Sequence, residues 1–213
     1  MLFSKLLPLC FAWLLFTASL TGCKEKKTAP SKAAPAPERL PYAAAPDKEK
    51  LHQKVIALRE YAQTHGYSTR YAFFIDFGVF SGGKRFICYD LEHNKTLSTG
   101  LVAHGQGPDF RAEVVPFSNE VGSLCSSLGK YRIGTKYSGR FGTAYKLHGL
   151  DKTNSNAFDR FVVLHSHVCV PGTAQDMGIC RSDGCPTLNP AYFATLQPYL
   201  DQSDKPVLLW IYH

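Results

Sequence analysis

Arg160-Phe161-Val162-Val163-Leu164-His165-Ser166-His167-Val168-Cys169 and, beyond a loop with Pro171 and Gly172, Cys180-Arg181-Ser182-Asp183-Gly184-Cys185-Pro186 form the stretch on which the reading of this chain turns. The apolar, β-branched run predicts a buried strand that delivers His165 to its far end. Ser182-Asp183-Gly184-Cys185-Pro186 predicts a tight turn presenting a thiol. A histidine and a cysteine brought together in this way point to a thiolate nucleophile with its base.

The chemistry explains the pairing. A free thiol, with a pKa of roughly 8.5, is only slightly ionised near neutrality, and a neighbouring imidazole corrects this. Ser166 follows His165 directly, so its carbonyl or hydroxyl can orient the ring. Gly184 allows a sharp turn in which the amides of Gly184 and Cys185 face a developing oxyanion; one such donor is typically worth about 2.7–4 kcal/mol of barrier. Two other readings stand beside this one. Strand alternation puts His165, His167 and Cys169 on one face, where Cys180 or Cys185 would complete a zinc site. A buried cysteine and histidine can also be plain core residues.

The spacing of His165 from Ser182-Asp183-Gly184-Cys185 resembles the L,D-transpeptidase (YkuD-like) catalytic domain of bacterial cell-wall enzymes. Val102-Ala103-His104-Gly105, Phe117-Ser118-Asn119-Glu120, Ser126-Ser127-Leu128-Gly129 and Leu147-His148-Gly149-Leu150 resemble its murein L,D-transpeptidase-related branch, which ends its motif in Gly-Cys-Pro. The resemblance covers about Arg70 to His213. It implies a mainly β, sandwich- or barrel-like fold with a few short helices, and a single catalytic domain over 67–213. It implies Cys185 as nucleophile, His165 as general base, Ser166 as the group orienting the imidazole, and Gly184 as part of the oxyanion site. His104, Ser118, Asn119, Arg181, Ser182 and Asp183 are the expected substrate contacts.

The implied reaction is attack on the diaminopimelate carbonyl of a peptidoglycan stem, loss of D-alanine, and resolution of the thioester by an amine of a second stem to give a 3-3 cross-link. Resolution by water would give an L,D-carboxypeptidase or another hydrolase. No metal or organic cofactor is expected. A zinc-binding or non-catalytic cell-wall lipoprotein is the alternative from another class. The chain departs from the common family pattern in two places. Asp183 replaces a histidine, and its carboxylate would raise the thiol pKa; Thr187 stands where Arg or Asn is usual.

Upstream, Lys5 and an apolar run to Leu20 precede Leu20-Thr21-Gly22-Cys23, the pattern of a lipoprotein signal peptide over 1–22 with Cys23 lipidated. Lys24 after the cysteine fits, by resemblance, the periplasmic face of the outer membrane. Residues 23–46, rich in Lys, Ala and Pro, read as a tether. Asp47 caps an expected helix to about His65, with Gly66 as its stop, within an N-terminal helical segment 47–66. Strands are predicted at Tyr71 to Phe77, Lys84 to Leu91, Lys95 to His104, Tyr131 to Ile133, Ala144 to His148, Phe161 to Val168 and Val207 to Tyr212, mostly antiparallel, with a helix from Asn189 to Tyr199.

Lys130, Arg132, Lys136, Arg140 and Lys146 read as a basic loop cluster. The formal charge of +7 suits an anionic wall polymer or lipid headgroups rather than nucleic acid. A monomer is expected. Setting aside Cys10 and Cys23, five cysteines remain in an oxidising compartment. Two disulfides with Cys185 free would match the catalytic reading, and Cys169 with Cys180 is the favoured pair. Cys88 and Cys125 can equally be plain buried residues.

Overall fold

Asp47 begins the folded part by capping α1 (Lys48–His65), its carboxylate accepting the amides of Glu49 and Lys50. Gly66, at φ +75°, closes the helix by donating its amide to the Ala62 carbonyl, a left-handed end that glycine adopts without penalty. The computed structural model describes residues 42–213 apart from Arg111, Glu113 and Val115. The expected signal peptide, Cys23 and the tether as far as residue 41 lie outside the described residues.

Nine strands follow: β1 (Tyr71–Asp76), β2 (Phe86–Asp90), β3 (Lys95–Gly100), β4 (Val102–Ala103), β5 (Gly129–Gly139), β6 (Gly142–Gly149), β7 (Val163–Ser166), β8 (Thr187–Leu188) and β9 (Leu208–Tyr212), with α2 (Pro190–Asp201) between the last two. They form one sheet in the order β3-β2-β1-β9-β5-β6-β7-β8-β4. The fold is mostly β, with two helices among the described residues.

Its end strands β3 and β4 are separated in sequence only by Leu101, so the sheet curls back on itself into a nearly closed barrel. The single strand expected from Lys95 to His104 is therefore two, paired with different neighbours at opposite ends of the sheet. Most pairings are antiparallel, but β1 runs parallel to β9 and β7 parallel to β8. The buried Arg85 guanidinium ties the seam, donating from Nε and Nη2 to the Val102 carbonyl and from Nη1 to the Val79 carbonyl.

Alternation along β1 builds two cores. Phe73 and Ile75 point into the barrel with Phe86, Tyr131, Leu147, Leu164 and Leu209, and α2 adds Phe193 and Leu196. Ala72 and Phe74 point outward to Val55, Leu58 and Ala62 of α1. Full burial of each large apolar side chain contributes about 1.5–3 kcal/mol, which explains why both faces of β1 are apolar.

The expected basic loop cluster is mostly strand: Lys130, Arg132 and Lys136 lie on β5, Lys146 lies on β6, and Arg140 sits in the turn between them. Lys130 pairs with Asp151 at 2.7 Å and Lys136 with Asp201 at 2.6 Å, so two of its charges are locally neutralised.

Candidate active site

β7 is held between β6, where Ala144 faces His165, and the short parallel β8, where His165 faces Thr187. Leu164 enters the barrel core while His165 stays at its rim, 6% exposed. The Nδ1 of His165 lies 3.2 Å from the Ser166 carbonyl. A carbonyl only accepts, so this contact assigns the proton to Nδ1 and leaves Nε2 with a free lone pair.

Thr187 Oγ1 is 3.0 Å from Nε2 and 3.2 Å from the Cys185 carbonyl. Its single proton serves one of them at a time. With neutral imidazole the hydroxyl donates to Nε2; with imidazolium, Nε2–H donates to the hydroxyl, which turns to the Cys185 carbonyl. Both charge states of the imidazole therefore have a partner.

The thiol sits on a turn stapled by Ser182, whose hydroxyl donates to the Cys185 carbonyl at 2.6 Å and accepts the Gly184 amide at 3.3 Å. Gly184 has φ +117°, and a Cβ there would lie 2.9 Å from the Cys125 carbonyl oxygen. Only glycine fits both demands. Ser126 Oγ donates to the Gly184 carbonyl at 3.1 Å and so ties the turn to the neighbouring loop.

The sulfur of Cys185 accepts the Val163 amide at 3.4 Å and donates to the Phe161 carbonyl at 3.8 Å. Among the described residues no hydrogen bond joins Cys185 to His165; in free enzymes such contacts are often loose and tighten with substrate. Burial raises the Cys185 pKa, with the Asp183 charge adding to it against the Val163 amide and Arg160. Burial also lowers that of His165, opposed by its bond to Ser166. At rest the pair is thiol and neutral imidazole.

Cys185, His165, Arg181, Ser182, Asp183 and Thr187 line one pocket of about 170 Å³. Asp183 also accepts Gln106 Nε2 at 2.7 Å, and Arg181 donates to the Ala112 carbonyl at 2.6 Å. The other expected contacts lie outside this lining. His104 is buried: its Nδ1 is 2.7 Å from Arg85 Nη2, and its carbonyl accepts the Ser182 amide at 2.8 Å. The Ser118 carbonyl accepts Arg160, and Asn119 bonds Lys152, Ser155 and Asn156. These three residues brace the walls. A larger cleft of about 500 Å³, between Ser68–Tyr71 and the end of α2, contains no thiol or imidazole.

Cys169 and Cys180 form a disulfide, the favoured pair, which takes both sulfurs away from the zinc arrangement considered from spacing. No group of three metal-binding side chains is assembled among the described residues. The second disulfide considered is not formed. Cys88 is a buried thiol inside the barrel, where burial pushes its pKa up to about 12, and Cys125 is buried beside the Gly184 turn.

Spacing alone missed three contributors. Thr187 entered only as a departure from the family pattern, and its contact with His165 is visible only once β8 is known to pair with β7. Arg160 donates to the carbonyls of Ser118 (2.8 Å) and Cys125 (2.6 Å), placing a cation close enough to lower the Cys185 pKa. Phe141, in the turn between β5 and β6, stacks on His165 with centroids 5.2 Å apart and meets His167 edge-on at 5.4 Å. A lone Phe in a hairpin turn carries no signal of that contact.

Among solved structures, the chain is similar to an L,D-transpeptidase (residues 123–326) from Xylanimonas cellulosilytica DSM 15894, with 13% identity, a TM-score of 0.37, and 84% of this chain and 100% of that one covered. It is also similar to a fused Zn-dependent amidase/peptidase/peptidoglycan-binding domain-containing protein from Clostridium acetobutylicum ATCC 824, with 16% identity and a TM-score of 0.38, covering 78% of this chain and 64% of that one. Likenesses of this size carry no functional inference. No curated protein matches the chain. The family model of the L,D-transpeptidase catalytic domain matches residues 43–212, nearly the whole of the folded part. The chain therefore belongs to the L,D-transpeptidase catalytic-domain family and is a peptidoglycan-modifying enzyme of that class.

Proposed function

We propose that Cys185 is the nucleophile and His165 the general base of a transpeptidase acting on the diaminopimelate–D-alanine bond of peptidoglycan stems. The observation that carries this reading is the parallel pairing of β7 with β8, which brings His165 and the Cys185 turn to one pocket. Nε2 takes the thiol proton as sulfur attacks the carbonyl, Thr187 turns to support the imidazolium, and D-alanine leaves with that proton. The Cys185 amide, without a hydrogen bond among the described residues, and the loosely held Gly184 amide receive the oxyanion. An amine of a second stem then takes the acyl group to make a 3-3 cross-link. Arg181, Ser182 and Asp183 meet the stem directly, while His104, Ser118 and Asn119 shape the wall behind it.

The same residues with water as acceptor make an L,D-carboxypeptidase. Mass spectrometry of a Lys48–His213 protein incubated with disaccharide-tetrapeptide, beside Cys185→Ala, distinguishes the outcomes. A cross-linked dimer lost in the variant establishes transpeptidation, and tripeptide with free D-alanine establishes hydrolysis. Unchanged substrate with no acyl adduct overturns both. Leu20-Thr21-Gly22-Cys23 further supports an extracytoplasmic enzyme anchored in the cell envelope by lipid on Cys23, with Lys24 favouring the outer membrane. A mature N-terminus without an acylated Cys23 would refute the anchor.

A further inference from the structure

Phe161 occupies a backbone position suited to glycine. The turn leading into β7 ends with the Val162 amide on the Ala157 carbonyl at 2.9 Å, bridging over Phe161 at φ +57°. A bond of this span across a left-handed residue is a Schellman ending, where glycine is usual and a bulky residue is a conformational outlier. Packing of the ring would be the ordinary compensation. Here the side chain is 84% exposed, so the fold gains little from it.

The position of its main chain is what distinguishes Phe161. The Phe161 carbonyl receives the Cys185 thiol at 3.8 Å, and the Val163 amide, two residues on, faces the same sulfur. Any acyl group that reaches this sulfur passes within side-chain reach of Phe161. On the imidazole side Phe141, 48% exposed, stacks on His165, so one member of the pair meets an exposed ring and the other meets the main chain of an exposed phenylalanine. Strained residues kept without structural benefit cluster where a ligand is held.

We propose that Phe161 is a specificity-determining residue whose ring packs against an alkyl or planar amide face of the peptide stem next to the scissile bond. A phenyl ring offers no charge or hydrogen-bonding group, so it recognises an apolar face rather than the stem's carboxylates. This inference rests on the stem-peptide reading above.

The test compares wild type, Phe161→Gly and Phe161→Tyr on a sugar-free tetrapeptide and on disaccharide-tetrapeptide, together with thermal midpoint and the rate of iodoacetamide alkylation of Cys185. Phe161→Gly should raise the midpoint by relieving the backbone, lower kcat/KM by about tenfold or more, and leave alkylation within about twofold, since the small reagent needs no ring. Phe161→Tyr should keep most of the turnover. Unchanged kcat/KM in the glycine variant overturns the proposal. So does a lowered midpoint, which would mean that the ring packs on the protein, or a parallel loss of alkylation, which would assign the residue to placing the sulfur. A loss seen only with disaccharide-bearing substrate transfers the contact to the sugar and overturns the peptide assignment. Wild-type enzyme inactive on both substrates fails the stem-peptide reading itself, before any variant is compared.

Discussion

Thr187 Oγ1 bonds the His165 imidazole in either charge state, but the bond to imidazolium is the stronger because the donor is charged. Thr187→Val keeps the side-chain shape and removes this partner. The pH midpoint for iodoacetamide alkylation of Cys185, already above that of a free thiol because of burial, should rise by about one further unit, and Thr187→Ser should restore it. A midpoint unchanged in the valine variant would remove Thr187 from the proton path. Gly184→Ala tests the turn itself. A methyl 2.9 Å from the Cys125 carbonyl must displace the thiol, and a shift of order 1 Å typically costs about a hundredfold in turnover. Folded protein with near-normal turnover would contradict this account of the turn. The tight turn at Gly184 and Cys185 was legible because its signal is local. Arg160, Phe141 and Thr187 were not, since each reaches the pair from a segment whose position depends on tertiary pairing.

The loop between β7 and the Cys185 turn is closed by Cys169–Cys180, with Cα atoms 6.0 Å apart and a sequence separation of 11. A ring of that length removes roughly 3 kcal/mol of freedom from the unfolded chain. Replacing both cysteines with alanine should lower the urea-derived stability by about 2–3 kcal/mol. An unchanged urea midpoint would show that the pocket wall keeps its form without the bond. Among the elements, α1 was readable at both ends from Asp47 and Gly66, because caps are local chemistry, whereas the helix expected from Asn189 to Tyr199 begins at Pro190, with Asn189 as its cap, and runs on to Asp201. The break at Leu101 was not. Lys95 to His104 has an unbroken strand pattern, and only closure of the sheet decides that Gly100 pairs with Phe86 while Val102 pairs with Leu188.

Closure also makes the whole molecule sensitive to acid. His104 is buried against Arg85, and burial with the Arg85 and Arg181 charges drives its pKa down to about 3. In the unfolded chain it takes a proton near 6.5, so the unfolded state binds more protons between these values and stability is lost as pH falls through that window. Its share of the loss should be about 2 kcal/mol by pH 5, with His165 and His148, whose pKa values are also lowered, adding in the same direction. Urea unfolding at pH 7 and pH 5 measures the slope. His104→Asn, which keeps an acceptor for Arg85, should flatten it; an equal slope in the variant would clear His104 of this role. A mostly β fold was legible from apolar runs and its barrel-like form from the family resemblance, but its two parallel pairings were not, because parallel partners lie far apart in the chain and leave no hairpin signal.

One of those pairings governs how the molecule comes into being. β9 lies between β1 and β5, with Ala72 beside Leu208 and Tyr131 beside Leu209, so two sides of the sheet meet through the strand that comes last of the nine in chain order. A chain emerging from a ribosome holds β1 without this neighbour until nearly all of the domain has followed. Contacts of such sequence separation make folding slow and late. The barrel that supports Cys185 therefore closes only after β9 has emerged, and a chain that has not yet reached β9 holds the Cys185 turn on an unfinished sheet.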